Sequence, residues 1–167
     1  MYNKGYILDS GGNMNNKICS FFGHKEITIT EDLKNRIRGI LDQMIKNENF
    51  TVFYFGGFGM FDDLCWQIIT ELKDKYMHIK RVFCLVDPRH QRISKRPKCL
   101  KVEDYEEFIY LDLEFDWWYT RIYYRNCEIV NQSDFIVFYA NDVASSGAYK
   151  IYQYAKKNRK NLINLAE

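Results

Sequence analysis

The sequence predicts a single α/β domain with a doubly wound, mainly parallel sheet flanked by helices. Three observations predict it. Short apolar runs alternate along the chain with longer segments that have apolar residues at helical spacing, and the runs are apolar at nearly every position. A strand with apolar side chains on both faces is one covered on both faces, as in a parallel sheet between two helix layers. Repeated β-α units with right-handed crossovers then give a sheet of the Rossmann-like type. The 167 residues suit one domain with a sizeable core. Residues 17–167 are expected to form that domain. Residues 1–16, polar and rich in Asn and Gly, are expected to be a flexible tail.

Taken in order, residues 17–22 (KICSFF) read as the first strand, ending at Gly23-His24. A helix opens at Thr30 or Glu31 and runs to Asn47, with Leu33, Ile37, Ile40, Leu41, Met44 and Ile45 on one face. Residues 50–55 (FTVFYF) are the second strand and lead into Gly56-Gly57-Phe58-Gly59. The next helix spans 61–75, with Leu64, Cys65, Ile68, Ile69 and Leu72 inward. Residues 80–86 (KRVFCLV) form a third strand, stopped by Asp87-Pro88. Residues 89–104 lack a period and read as loop; residues 107–111 (EFIYL) are the fourth strand. A third helix covers 119–132, with Ile122, Tyr123, Ile129 and Val130 expected inside. Residues 134–139 (DFIVFY) are the fifth strand, 147–159 the last helix, and 161–164 can add a sixth strand.

Composition narrows the function. The net charge of +2 is too small to argue for nucleic acid or an anionic membrane, so neither is expected as a partner. A basic cluster at Arg89, Arg92, Lys95, Arg96, Lys98 and Lys101 reads as a solvated loop or as a flap that meets a polyanion. No stretch approaches the roughly 18 apolar residues of a membrane span. The polar N-terminus has no signal-peptide run, and a cytoplasmic location is expected. Cys19, Cys65, Cys84, Cys99 and Cys127 contain no C-x-x-C pair, and His24, His78 and His90 have no ligand spacing. Neither a disulfide framework nor a metal site is expected, and no cofactor is required. The aromatic share of 17%, with 13 Tyr and 12 Phe, reads first as core packing. Trp117, Trp118 and Tyr119 are candidate subunit contacts, and a homo-oligomer is expected.

Ligands of open α/β sheets bind beyond the carboxyl ends of the strands. Gly23-His24, residues 56–63, residues 87–90 and residues 139–147 all fall there. Gly56, Gly57 and Gly59 permit close approach of backbone to a ligand, and the helix start behind them suits a phosphate. They match neither G-x-G-x-x-G nor the P-loop. Asp62 then suits ribose hydroxyls, while Asp63 is free to face solvent. Arg121 and Arg125 share a helix face, and a guanidinium pairs bidentately with phosphate. Ser145-Ser146-Gly147 repeats the anion-site geometry at the last helix, or supplies a simple N-cap. His24 is a possible ligand contact, and Phe58 and Tyr139 are possible stacking partners for a base.

Residues 19–25 (CSFFGHK), 56–62 (GGFGMFD), Arg125-Asn126, 133–139 (SDFIVFY) and 146–157 (SGAYKIYQYAKK) together resemble the SLOG superfamily, named for the SMF/DprA and LOG proteins, and most of all its small YpsA-like members. The resemblance covers residues 17–165. It implies a Rossmann-like fold that binds nucleotides or derivatives such as ADP-ribose, NAD-related or cyclic ADP-ribose-type signals. Some such relatives act in bacterial and phage conflict systems. The LOG enzymes instead cleave the N-glycosidic bond of a nucleoside monophosphate through P-G-G-x-G-T-x-x-E. On that motif the glycines match Gly56, Gly57 and Gly59, Met60 replaces Thr, Phe55 replaces Pro, and Asp63 takes the Glu position. Two functions follow. One is a binding protein for a nucleotide-type small molecule, using Gly23, His24, Gly56, Gly57, Phe58, Gly59, Asp62, Arg125, Asn126, Tyr139, Ser145, Ser146 and Gly147. The alternative is an N-glycosidase-like enzyme with Asp63, or else Asp62 or Glu71, as its carboxylate.

Overall fold

A computed structural model describes residues 16–86, 104–110, 118–142 and 146–167. The elements run β1 (Lys17–Gly23), α1 (Glu31–Glu48), β2 (Phe50–Phe55), α2 (Met60–Lys75), β3 (Lys80–Leu85), β4 (Glu107–Tyr110), α3 (Trp118–Gln132), β5 (Phe135–Tyr139), α4 (Gly147–Lys157) and β6 (Leu162–Asn164). They form one six-stranded sheet of order β4-β3-β2-β1-β5-β6. All five strand pairings are parallel, so the expected α/β architecture is present and its sheet is wholly parallel among the described residues. The expected tail, residues 1–16, lies outside the described residues except for Asn16. So do the basic cluster at 89–101, the segment 87–90 and Trp117.

Side chains alternate across the strands and both sets are buried, which explains the continuous apolar runs. Cys19, Phe21, Phe53, Phe55 and Val137 pack with α1 and α2. Phe22, Tyr54, Val82, Cys84, Ile136 and Phe138 pack with α3 and α4 on the other face. Much of the aromatic content is spent here: Phe21 stacks on Phe55 with centroids 5.1 Å apart, and Phe22 on Phe138 at 5.6 Å. Cys19, Cys65, Cys84 and Cys127 are free and buried. Among the described residues no helix is long and apolar enough to cross a membrane.

Local chemistry sets the boundaries. Thr30 caps α1 by accepting the Leu33 N–H at 3.1 Å, and Asn49 ends it in the left-handed region at φ 61. Strand β5 starts at Phe135, one residue later than expected. The Asp134 carboxylate accepts the Ile18 N–H at 2.8 Å and the Asp134 N–H donates to the Ile18 carbonyl, which pins the foot of β5 to β1. The edge strand β4 is anchored through Glu106, which accepts the backbone N–H and the guanidinium of Arg81 at 2.7 Å each. Tyr123, expected inside, is instead exposed, because α3 turns Arg125, Cys127, Ile129 and Val130 to the sheet.

The strand order reverses at β1. Chain leaving β1 runs through α1 to β2 on one side, whereas β5 lies on its other side and leads through α4 to β6. A crevice opens where neighbouring crossovers diverge in this way. Here that crevice faces the end of β1, the start of α2 and the start of α4.

Candidate functional site

A cavity of about 460 Å³ occupies this switch point. That is the size range of small-molecule sites, which run to roughly 300–1,000 Å³. Of the residues expected at the site, Gly23, His24, Gly56, Phe58, Gly59, Asp62, Arg125, Asn126, Ser146 and Gly147 all line it. Residues from four separate stretches of chain are therefore brought together.

Arg125 is the centre of the arrangement. It projects from α3 and is only 2% exposed. Its Nη1 donates to the carbonyls of Cys84 at 2.9 Å and Gly56 at 3.2 Å, while Nε and Nη2 both donate to Asn126 Oδ1 at 3.1 and 2.9 Å. A guanidinium has five N–H groups. Four are committed, and one on Nη2 has no acceptor among the described residues, in a side chain that lines the cavity. No carboxylate within 4.0 Å balances the charge among the described residues. Burial lowers the pKa of Arg125, with Cys84 and Asp62 opposing, yet arginine stays cationic in proteins. The result is a buried positive charge at a cavity wall, in no direct ion pair among the described residues and felt by Asp62 only at longer range.

Asp62 is the nearest acid, and it is turned elsewhere. Its carboxylate oxygens accept the Gly56 N–H at 3.2 Å and the Gly57 N–H at 3.0 Å. The side chain is 5% exposed. Burial pushes its pKa up to about 7, against the opposing pull of the two amides and the Arg125 charge. Two amides read as a phosphate cradle are thus taken by a carboxylate of the same chain. Asp63, the carboxylate proposed for bond cleavage, is exposed on the first turn of α2 and does not line the cavity.

The glycines are explained largely by packing. Gly57 and Gly59 have φ of 73 and 104. A Cβ at Gly57 would strike the Phe83 ring, one at Gly23 the Phe61 ring, and one at Gly56 would lie 2.8 Å from Arg125 Nη2. Gly57 itself lies behind the cavity wall rather than on it. Gly147 differs, since a Cβ there would meet nothing within 4 Å.

The start of α4 is the better anion site. Ser146 is its N-cap, accepting the Tyr149 N–H at 3.3 Å. The N–H groups of Gly147 and Ala148 have no acceptor among the described residues, and both residues line the cavity. His24 holds this start in place. Its Nε2 accepts the Asn141 N–H at 2.8 Å, and its Nδ1 lies 3.0 Å from Ser146 Oγ. An accepting Nε2 requires the neutral tautomer with its proton on Nδ1, so Nδ1 donates to Ser146. The serine hydroxyl then has its own proton to offer the cavity. Histidine here acts as a strut between β1 and α4, a role that no spacing in the sequence signals.

Two expected residues fall elsewhere. Tyr139 packs its ring against Phe61 at 5.8 Å, on the α1/α2 face, and lines a shallower second cavity with His24 and Asn141. Ser145 lies outside the described residues. Lys25, Ile122, Ala148 and Ile151 line the main cavity and were not anticipated, because their place depends on the packing of α3 and α4 against the end of β1.

No protein-family model matches the sequence, and no curated protein matches it. Solved structures do match by fold. DNA processing protein A from Helicobacter pylori, described by its unique mode of binding single-stranded DNA, superposes with a TM-score of 0.58 at 15% identity. The match covers 87% of this chain and 63% of that one, so this chain spans less than two thirds of its length. TM1055 matches with a TM-score of 0.54 at 13% identity over 87% of this chain and 72% of its own. The first match corrects one expectation. A protein of this fold binds single-stranded DNA, so the small net charge does not make nucleic acid an improbable partner. Net charge averages the whole surface and says nothing of a local groove. At these identities the likeness concerns fold alone, and the chain shares with both structures a Rossmann-like α/β fold.

Proposed function

We propose that the protein binds a nucleotide or nucleotide-derived small molecule, with a phosphate seated between the start of α4 and Arg125. The observation that carries this reading is the buried Arg125 guanidinium, which among the described residues has one N–H without an acceptor and no carboxylate within 4.0 Å. An unpaired buried charge is costly, and an anionic ligand relieves the cost. The Gly147 and Ala148 amides and the Ser146 hydroxyl add neutral donors at the positive end of a helix dipole. Asp62, which also lines the cavity, retains lone pairs for ribose hydroxyls.

Holding a ligand is favoured over cleaving one. The carboxylate that lines the cavity is engaged by two amides, and Asp63 lies outside it. Calorimetric titration with AMP, ADP-ribose, NAD and a single-stranded oligonucleotide tests the proposal. At least one free nucleotide should bind, and Arg125→Lys should weaken it by about tenfold or more, since lysine keeps the charge but loses the planar fork. Recovery of intact ligand after heating would support capture. Absence of binding by every phosphate compound, or equal affinity in Arg125→Lys, would overturn it.

A further inference from the structure

Among the described residues, Phe58 is the one large apolar side chain of the cavity lining that stands open to solvent, at 44% exposure. It sits between Gly57 and Gly59, both at positive φ. That backbone keeps the ring out of the core formed by its neighbours Phe55 and Phe61, which are fully buried. One face of the ring is already engaged, with the Arg125 guanidinium carbon 5.6 Å from its centroid. A cation held over one aromatic face orients the ring and leaves the opposite face available. Ile122, Ala148 and Ile151 give the same cavity apolar lining, as suits a flat, poorly hydrated group.

We infer that Phe58 is the base-reading residue of the site: a nucleobase stacks on its free face while Arg125, on the other face, attends to the phosphate. The inference rests on the phosphate reading above and adds to it what distinguishes a nucleotide from a simple phosphate. Arg125 links the two halves of the ligand, because the guanidinium that positions the ring is the same group that faces the anion. Discrimination between bases by Phe58 is weak, since every base presents a π-face. The subsite therefore selects for the presence of a base rather than its identity.

The test compares AMP, ribose 5-phosphate and inorganic phosphate by calorimetric titration on wild-type, Phe58→Leu and Phe58→Trp proteins. Wild type should bind AMP about tenfold or more tighter than ribose 5-phosphate, the range expected of one base–aromatic stack. Phe58→Leu should lose most of that difference and leave the ribose 5-phosphate affinity within about twofold, while Phe58→Trp should restore it. The side chain is half in solvent, so both variants should fold, and retained ribose 5-phosphate binding verifies that they do. Equal binding of AMP and ribose 5-phosphate by wild type overturns the stacking role and leaves the phosphate site standing. Full AMP affinity in Phe58→Leu also overturns it. Failure of all three probes on wild type sinks the phosphate reading and this inference together.

Discussion

At the scale of single residues, the site is governed by two buried charges that do not pair with each other. Asp62 caps the β2–α2 turn, and Arg125 ties α3 to the ends of β2 and β3. The raised pKa of Asp62 has a definite sign. Unfolded, its pKa is about 3.9, and in the native protein it is about 7. Between those values the native state holds a proton that the unfolded state has released, so stability falls as pH rises through this window. The contribution is fully present below about pH 4 and gone above about pH 7. Glu106 acts in the opposite sense and elsewhere on the scale. Its pKa is lowered by its hydrogen bonds and charge contacts with Arg81, in spite of its burial, so its contribution is lost only as pH falls through the acidic range. Urea unfolding at pH 5, 6, 7 and 8 separates the two. Asp62→Asn should flatten the slope across that window, although it loses one of two acceptors and is less stable at pH 7 by about 1–3 kcal/mol. A slope equal to wild type would mean that Asp62 does not titrate there.

At the scale of elements, the strands and helices are legible in the sequence because each has one physical cause. Strands β1, β2, β3 and β5 are covered on both faces and so read as unbroken apolar runs; α1 reads from Leu33, Ile37, Leu41, Met44 and Ile45 on one stripe. The Gly-rich turn was legible as a feature and not as a purpose. A missing Cβ leaves the same trace in sequence whether its neighbour is a ligand or a side chain. Here Gly23 and Gly57 make room for Phe61 and Phe83, and Gly56 for Arg125. The strut role of His24 and the place of Lys25 were hidden for a related reason, since their partners, Ser146 at the cap of α4 and Met60 at the start of α2, lie more than 30 residues away. Two glycine substitutions separate packing from binding. Gly57→Ala should destabilise the protein by about 2 kcal/mol or more, because it adds an overpacked methyl to a strained φ. Gly147→Ala should change stability by less than about 1 kcal/mol, since a helix accepts Ala and its Cβ meets open space. Chemical denaturation of both variants checks the pair, and a large loss in Gly147→Ala would show that α4 begins differently.

At the scale of the molecule, the fold puts the starts of α2 and α4 on opposite sides of the strand where the sheet reverses. The start of α2 follows β2, the start of α4 follows β5, and β1 lies between them. A ligand with phosphate at α4 and its base on Phe58 would therefore bridge the two halves of the sheet rather than decorate one of them. Binding of this kind stabilises the whole native state by RT ln(1 + [L]/Kd), about 2.7 kcal/mol at a hundredfold excess over Kd. In a chain of this length that is a rise of roughly 5–10 °C in Tm. The bridging geometry adds a sharper expectation, because amide exchange should slow on both sides of β1, at Gly147 and Ala148 and in the turn at residues 56–59. Hydrogen exchange with saturating AMP reads both sites in one experiment. Protection confined to the α4 start would mean that the phosphate binds as argued while the base never reaches Phe58. Protection confined to the turn would place the anion on the α2 side, against the Asp62 carboxylate, and the present assignment of subsites would fail.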